Sequence, residues 1–190
     1  MVPMSLDLVT AEISDLDSIM ALEAVGFASG IREEHEVFLR RVEVFPSGFI
    51  LLKINDETAG YLSSEIWPFR EPFESRWFEL GHDISTRHEA DGNELYVSSM
   101  TILPQLRGTG LGKLLFVEAL TRLKKDFPTL TSCILVVNET WRNARKIYDG
   151  AEFHQIGSLP QFFMADGDDP RSGLVCRRSL RSLSDSLSKT

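Results

Sequence analysis

The chain is poor in cysteine and contains no long apolar run. Its two cysteines, Cys133 and Cys176, are too few for a disulfide framework or a cysteine-based metal site. Both stand among apolar residues, where a cysteine usually packs as a small buried side chain. No apolar stretch approaches the roughly eighteen residues that a membrane-spanning helix requires. These absences exclude a disulfide-stapled fold and a membrane span. Since no pair of histidines has the spacing of metal ligands, we also expect no metal.

Basic residues are outnumbered by acidic ones. The chain has 20 Lys and Arg against 28 Asp and Glu, a net charge of −8. A nucleic-acid-binding surface needs a basic face, so nucleic acid is excluded as the main partner. The acidic balance is compatible with a cationic substrate such as an amine. The first residues have neither the basic nor the apolar region of a secretory signal. We therefore expect a cytoplasmic protein without membrane contact, as a monomer or homodimer.

Length and composition fit one globular domain with a full hydrophobic core. The chain has 190 residues, of which 43% are hydrophobic and 25% are charged. We expect a single domain over residues 5–180. The remaining residues, 181–190, are rich in Ser and Leu, and we predict a disordered tail there.

Hydrophobic periodicity predicts an α/β (α+β) domain with an antiparallel N-terminal half and a strand–helix–strand–helix C-terminal half. Strands are predicted at 6–9, 48–54, 59–66, 94–103, 131–138, 153–157 and 174–180. Helices are predicted after an N-cap at Ser14, at 33–45, from the glycine loop described below to about 125, and at 140–149. The strands near residues 100 and 135 are parallel neighbours, because the helix between them is long enough for a crossover. Two irregular segments, 67–92 and 160–173, are predicted to be binding loops.

The two N-terminal helices are predicted from their apolar periodicity. The first stripe runs through Ile19, Leu22, Glu23 and Phe27, and the second through Val37, Phe38, Arg41, Val42 and Phe45. The polar side of the second helix is predicted to carry Glu33, Glu34 and Glu36. These acids favour a cationic amine as the substrate.

The most informative segment is 102–115, where a strand ends, three glycines follow at alternate positions, and a helix begins. Consecutive amides at a helix N-terminus form an anion site, and Arg107 and Lys113 flank this one. A P-loop is excluded, because Arg107 stands where its first glycine belongs and Leu114 where its hydroxyl belongs. A dinucleotide-binding loop is excluded because the third glycine is missing. The pattern that fits is R-x-x-G-x-G, filled by Arg107, Gly110 and Gly112. A glycine-rich turn without a ligand remains the alternative.

This pattern resembles the pyrophosphate-binding loop for acyl-CoA in the GNAT superfamily of N-acyltransferases, and the likeness extends over residues 6 to about 180. A second GNAT signature follows the loop: a strand ending near Asn138, then a helix with Ala144 and Tyr148, then Phe153. Phe153-His-Gln-Ile-Gly157 is most similar to the branch that acetylates arylalkylamines. Three departures occur: Glu152 precedes Phe153 where Gly is common, Trp141 stands where Asn is usual, and Tyr96 and Ser98 stand where that branch has two histidines.

The resemblance implies a GNAT-like mixed central sheet in which helices flank a splayed pair of parallel strands. It also implies an acetyl-CoA-dependent N-acetyltransferase, in which a primary amine of arylalkylamine or polyamine type attacks the thioester directly. Acetyl-CoA is then the co-substrate, and the implied contacts are Met100, Thr101, Ile102, Arg107, Gly108, Thr109, Gly110, Leu111, Gly112, Lys113, Asn138, Asn143 and Tyr148.

Chemical roles are assigned by residue type and position. Tyr148 is the candidate general acid, because a phenol stays protonated at neutral pH and can protonate a leaving thiolate. The amide of Met100 or Ile102 could stabilise the developing oxyanion. The base or water relay is expected among residues beside the cleft: Tyr96, Ser98 and Glu79, with His82 and Glu65 as further candidates. Phe27 and Trp67 are candidates for an aromatic pocket around the amine.

Other functions stay open. A non-catalytic acyl-CoA-binding sensor or scaffold would share the glycine loop and differ at Tyr148. A protein N-terminal or lysine acetyltransferase would share both. An ATP- or GTP-binding protein is disfavoured by the absent P-loop hydroxyl.

Overall fold

The computed structural model describes residues 5–181, and the predicted tail therefore lies, apart from Arg181, outside the described residues. Its centre is a seven-stranded sheet in the order β1-β2-β3-β4-β5-β7-β6. The strands are β1 Leu6–Thr10, β2 Phe49–Ile54, β3 Glu57–Trp67, β4 Glu94–Ile102, β5 Ser132–Asn138, β6 His154–Phe163 and β7 Arg171–Ser179. The α-helices of this part of the chain are α1 Leu16–Gly26, α2 His35–Val44, α3 Leu111–Asp126 and α4 Arg142–Gly150.

The predicted mixed sheet is confirmed. β1 to β4 pair antiparallel in sequence order. A two-residue turn joins β2 to β3, whereas α1 and α2 lie between β1 and β2, and a long loop joins β3 to β4. β4 and β5 pair parallel, with α3 as the crossover between them. β7 then inserts antiparallel between β5 and β6, so β6 lies at an edge.

The sheet is covered on both faces. α3 packs on one face through an apolar stripe whose residues recur every three or four positions. The stripe consists of Leu115, Phe116, Ala119, Leu120 and Leu123. α1 and α2 cover the other face through Leu16, Ile19, Leu22, Phe38 and Val42. A third cluster joins Trp67, Phe78 and Tyr96 near the start of β4. No helix between residues 5 and 181 is long and apolar enough to cross a membrane.

Two predicted boundaries are wrong. The first helix is not capped by Ser14. A short 3₁₀ turn, Ile13–Asp15, precedes it, and the Glu12 amide donates to Asp15 Oδ2 at 2.9 Å. The loop predicted at 160–173 is shorter, because β6 continues to Phe163 and β7 begins at Arg171. β6 tolerates Pro160 because an edge strand leaves one side of its backbone unpaired. The pairing skips from Leu159 to Phe163, with Gln161 at φ +53°, which marks a bulge there.

Candidate functional site

The candidate site is an opening between β4 and β5. These parallel strands pair from Glu94–Ser132 to Val97–Leu135, although both strands continue further. The divergence begins at a bulge in β4, where Val97 faces Ser64 and Ser99 faces Ser63, leaving Ser98 as the extra residue. A bulge bends its strand and increases the local twist. We call the opening between residues 98–102 and 136–138 the splay.

Backbone amides of β4 face the splay. The Leu103 amide donates to the Ala59 carbonyl of β3 at 2.8 Å. Because amides alternate sides along a strand, those of Thr101 and Ser99 also face β3, and those of Met100 and Ile102 face the splay. The expectation that Thr101 contacts acetyl-CoA is therefore corrected. Its amide is directed to β3, and its side chain is buried so tightly against α1 that a Cβ on Gly26 would lie 2.6 Å from its Oγ1.

The glycine loop leads directly from the splay to α3. Gly108 and Gly110 have φ of +81° and +91°, a region that favours glycine, and a Cβ at either would meet nothing within 4 Å. Gly112 is helical instead. Gly110 is the N-cap of α3, and its carbonyl accepts from the Leu114 amide at 3.0 Å. The amides of Leu111, Gly112 and Lys113 precede that bond and are the unsatisfied donors of a helix N-terminus.

Side chains fix this loop to its neighbours. Arg107 Nη2 donates to the Gly26 carbonyl at the end of α1, at 3.0 Å. The Thr109 hydroxyl donates to the Leu106 carbonyl at 2.6 Å, so it stabilises the turn itself. A Cβ at Gly112 would lie 3.3 Å from Ile147 Cδ1, which shows how closely α3 approaches α4. Leu111 is half-buried and Lys113 is exposed.

β5 and α4 form the other wall. Asn138 is buried, and its Oδ1 accepts from the amide and the hydroxyl of Thr140, both at 2.9 Å, which holds the turn into α4. Tyr148 packs edge-on against Phe116, with ring centroids 5.0 Å apart. Burial raises the pKa of the Tyr148 phenol, so it stays protonated at neutral pH. Asn143 is exposed on the same helix.

A buried polar chain lies on the α1 side of the splay, and sequence reasoning missed it. Tyr61 of β3 donates from its hydroxyl to Glu23 Oε2 of α1 and lies 2.9 Å from Ser99 Oγ of β4. Glu23 Oε1 accepts from the Glu33 amide at 2.8 Å. The Glu33 carboxylate pairs with Arg41 at 2.8 Å, although it was predicted on a polar helix face. One sign of this chain was present in the sequence. Glu23 and Arg41 stand at apolar positions of their helices, and a charged side chain that is buried there needs polar partners.

The sequence-based base candidates occupy different surroundings. Ser98 Oγ lies 3.1 Å from both the carbonyl and the hydroxyl oxygen of Ser63, beside the splay. Tyr96 is buried and stacked on Trp67 at 4.0 Å, and burial raises its pKa, which makes this phenol unsuitable as a base. The Glu79 carboxylate is 72% exposed and pairs with Arg87. These surroundings do not suit Tyr96 or Glu79 to the role of base, and the role of Ser98 stays a prediction.

Glu65 and His82 form a separate buried pair. His82 Nδ1 lies 2.8 Å from the Glu79 carbonyl, which can only accept, so Nδ1 carries a proton. Nε2 lies 2.6 Å from Glu65 Oε1, so a second proton is shared between the ring and the carboxylate. Trp67 donates to the other oxygen of Glu65 at 3.0 Å. The pair is therefore satisfied internally and neutral overall.

Aromatic rings border the acceptor side of the splay, though not the pair that was expected. Trp67 is 3% exposed and packs in the third cluster, so it is a core residue and not a pocket wall. Phe27, at the end of α1, is half-buried and lies 5.6 Å from Trp141 between ring centroids. Trp141 in turn lies 5.1 Å from Phe163 of β6.

Two loops meet beside these rings. The α1–α2 loop contributes Ser29, whose hydroxyl donates to Asp166 Oδ2 at 2.7 Å, and whose carbonyl accepts from the Asp166 amide at 2.8 Å. Gly30 approaches the same residue so closely that a Cβ there would lie 2.7 Å from the Asp166 amide nitrogen. The β6–β7 loop is thus joined to the α1–α2 loop, and we call this contact the loop bridge.

Comparison with known proteins identifies the fold. Residues 84–163 match a family model described as an acetyltransferase (GNAT) domain. The loading GNATL domain of CurA from Lyngbya majuscula superposes with a TM-score of 0.79 at 15% identity, covering 94% of this chain and 99% of that one. The chain has the GNAT fold. A search of curated proteins finds no significant match.

Other GNAT structures resemble the chain to a similar degree. The GphF GNAT-like decarboxylase, in complex with isobutyryl-CoA, has a TM-score of 0.77 at 19% identity and covers 92% of this chain and 100% of its own. The ribosomal-protein-S18-alanine N-acetyltransferase from Escherichia coli has a TM-score of 0.68 at 13% identity, covering 93% and 94%. The matched GNAT segment contains β4, the glycine loop, α3, β5 and α4.

Proposed function

We propose that this protein is an acetyl-CoA-dependent N-acetyltransferase that acts on a small primary amine. The observation that carries the proposal is the splay, where two outward-facing amides of β4 continue into an anion-binding helix N-terminus. A peptide-like arm can pair with a free strand edge, and a pyrophosphate can be held by the amides that follow it. The GNAT match over residues 84–163 supports the same ligand.

The residues present fit an acyl-CoA. Open space at Gly108 and Gly110 leaves room for a phosphate against the amides of Gly110, Leu111 and Gly112. Arg107, Thr109 and Lys113 are exposed around this loop and supply charge and a hydroxyl. The amides of Met100 and Ile102 would hold the pantetheine arm, with Asn138 and Asn143 on the opposite wall. Acetyl-CoA supplies the thioester; the protein binds it, orients it and moves protons around it.

Tyr148 is the proposed proton donor. Its phenol carries a proton that a leaving thiolate can accept. Burial raises its pKa, which keeps it protonated throughout the physiological range. The alternative non-catalytic acyl-CoA-binding module has no use for such a hydroxyl.

The charge balance of the α1 side favours a cationic acceptor. Glu23 and Glu33 are opposed by Arg41, while the Glu65–His82 pair is neutral overall. In this buried region two carboxyl groups therefore stand against one guanidinium, an imbalance of one acidic group. An ammonium beside Ser99 would neutralise it, and the rings of Phe27 and Trp141 could contact the organic part of such an amine. We therefore propose an acceptor of arylalkylamine or polyamine type.

The loop bridge favours a small acceptor over a protein terminus. An extended peptide needs a groove along the acceptor side, and the contact between Ser29 and Asp166 crosses from one loop to the other. A small amine needs no such groove, because it can bind in the space beneath this contact. Acetylation of a protein N-terminus or of lysine remains the alternative acceptor class.

Replacing Asp166 by alanine should broaden acceptor use. The change removes the side-chain bond to Ser29, and one such bond contributes about 1 kcal/mol. We expect kcat/KM for a short peptide N-terminus, relative to that for a small arylalkylamine, to rise about fivefold. Asp168→Ala in the same exposed loop is the matched control and should leave the ratio unchanged. An unchanged ratio in Asp166→Ala would mean that the bridge does not select acceptors.

The proposed function is tested by thiol release from acetyl-CoA across a panel of arylalkylamines, polyamines, aminoglycosides and N-terminal peptides. We expect release with at least one cationic amine and thermal stabilisation of the protein by acetyl-CoA alone. Stabilisation without release on any amine would favour the non-catalytic binding module. Absence of stabilisation would refute the acyl-CoA site.

A further inference from the structure

The α1 side of the splay contains a hydrogen-bonded chain that crosses three elements. Glu23 lies on α1, Tyr61 on β3 and Ser99 on β4, and the contacts run from carboxylate to phenol to hydroxyl. Tyr61 is 0% exposed and Glu23 is 1% exposed, whereas Ser99 is half-exposed at the splay. Ser99 is therefore the member through which the chain reaches a ligand.

The direction of these hydrogen bonds is fixed by their chemistry. A carboxylate only accepts, so the Tyr61 proton points to Glu23. The Tyr61 oxygen must then accept in its hydrogen bond with Ser99, so the Ser99 hydroxyl is the donor. The lone pairs of Ser99 Oγ are left for a donor outside the chain. A protonated amine in the splay is a donor of that kind.

Charged and polar neighbours hold Glu23 ready to receive a proton. Burial raises its pKa, while hydrogen bonds from Tyr61 and the Glu33 amide, together with the charge of Arg41, lower it. The Glu33 carboxylate also faces Glu23 and raises its pKa. The net result is a raised pKa, so this carboxyl takes up a proton more readily than an exposed glutamate. Tyr61 has its pKa raised well above the ordinary value, so it transmits protons as a neutral phenol.

We propose that Ser99, Tyr61 and Glu23 form a proton relay that deprotonates the acceptor amine. The ammonium gives its proton to Ser99 Oγ, Ser99 gives its own to Tyr61 Oη, and Tyr61 gives its own to Glu23 Oε2. Each hydroxyl forms one O–H bond and breaks one, so the balance is an ammonium turned into an amine and a carboxylate turned into a carboxylic acid. The inference rests on the proposed acetyl transfer, for which it supplies the base.

The relay predicts how the pH dependence of kcat/KM changes in protein variants that lack one of its members. An alkyl amine with a pKa near 10 is almost entirely protonated at pH 7. Wild-type kcat/KM should stay level down to the pKa of Glu23 and fall below it. In Glu23→Gln and in Tyr61→Phe we expect kcat/KM at pH 7 to fall on the order of a hundredfold, the size of a general-base contribution. The deficit should shrink tenfold per pH unit until the amine pKa is reached, since only free amine then reacts.

Conservative variants separate the relay from a structural role. Ser99→Thr keeps a hydroxyl and should retain most activity, while Ser99→Ala should show the same pH-dependent deficit as Tyr61→Phe. Glu94→Gln is the matched control for loss of a buried carboxyl. Glu94 is 2% exposed, burial raises its pKa, and it bonds Ser132 and Arg177 away from the splay. Its variant should keep the wild-type pH profile.

A second measurement is independent of turnover. The carboxyl ¹³C resonance that disappears in Glu23→Gln identifies Glu23 in the free protein and reports its pKa. Because the Tyr61 hydrogen bond lowers that pKa, Tyr61→Phe should move the titration to higher pH. An unmoved titration, or wild-type pH profiles in Glu23→Gln and Tyr61→Phe, would overturn the relay. A wild-type protein that acetylates no amine would instead refute the proposed function, and the resonance titration would still decide whether Tyr61 and Glu23 are coupled.

Discussion

Replacing Gly110 by tryptophan is expected to abolish the binding of acetyl-CoA. Gly110 has φ of +91° and caps α3, and a Cβ there points into open space, not into the protein. The indole would therefore occupy the space in front of the helix amides without displacing neighbouring atoms. A phosphate could no longer approach those amides, and its negative charge would lose the stabilisation that the helix N-terminus provides. Thermal stabilisation by saturating acetyl-CoA is the measurement.

The strain of a side chain at positive φ needs its own control. A non-glycine residue there costs about 1–2 kcal/mol of stability, which lowers the melting temperature with or without ligand. Gly167, in the β6–β7 loop, has φ of +79° and equally open space. Gly167→Trp should lose comparable stability and keep the shift produced by acetyl-CoA. If Gly110→Trp also keeps that shift, the pyrophosphate does not bind at this loop.

Removing the hydroxyl of Tyr148 is expected to lower turnover ten- to a thousandfold, with little change in the affinity for acetyl-CoA. General-acid catalysis contributes roughly this much, about 1.4–4 kcal/mol of barrier. Phenylalanine keeps the ring against Phe116, so the packing of α4 on α3 survives. Turnover of a good acceptor amine, measured beside acetyl-CoA affinity, gives both quantities for Tyr148→Phe.

The pH dependence distinguishes this tyrosine from the relay. Burial raises the Tyr148 pKa above 10, so the phenol is protonated at every pH between 6 and 9. The loss in Tyr148→Phe should therefore be constant across that range. The loss in Glu23→Gln should shrink as pH rises. Wild-type turnover in Tyr148→Phe would leave the hydroxyl with no chemical role and would favour an anchoring role for the ring.

The order of elements and the position of the loop could be predicted from sequence because both depend on local patterns. Period-two and period-3.6 hydrophobicity located the strands and helices to within a few residues, apart from the longer β6–β7 hairpin. The glycine spacing predicted a tight turn before α3, and Gly108 and Gly110 do have positive φ. A change from strand to helix within a few residues is visible in any single sequence.

The acceptor side could not be predicted because it depends on contacts between distant residues. Glu23 and Tyr61 are 38 positions apart, as are Tyr61 and Ser99, and each looks unremarkable in its own segment. Trp67 was expected in the pocket, yet the sheet face it occupies is buried by Phe78 and Tyr96. The bulge at Ser98 shifts which β4 side chains share a face, and no residue type announces it. A charge within an apolar stripe, as at Glu23 and Arg41, was the one local sign of a buried polar region.

The central claim is that an acetyl group passes from acetyl-CoA to an amine at the splay. Mass spectrometry of a single reaction, with acetyl-CoA and a protonated arylalkylamine or polyamine, tests it most directly. We expect one N-acetylated amine for each free CoA formed, with the yield lost in Gly110→Trp. Free CoA accompanied by acetate, or no free CoA with any amine, would contradict it.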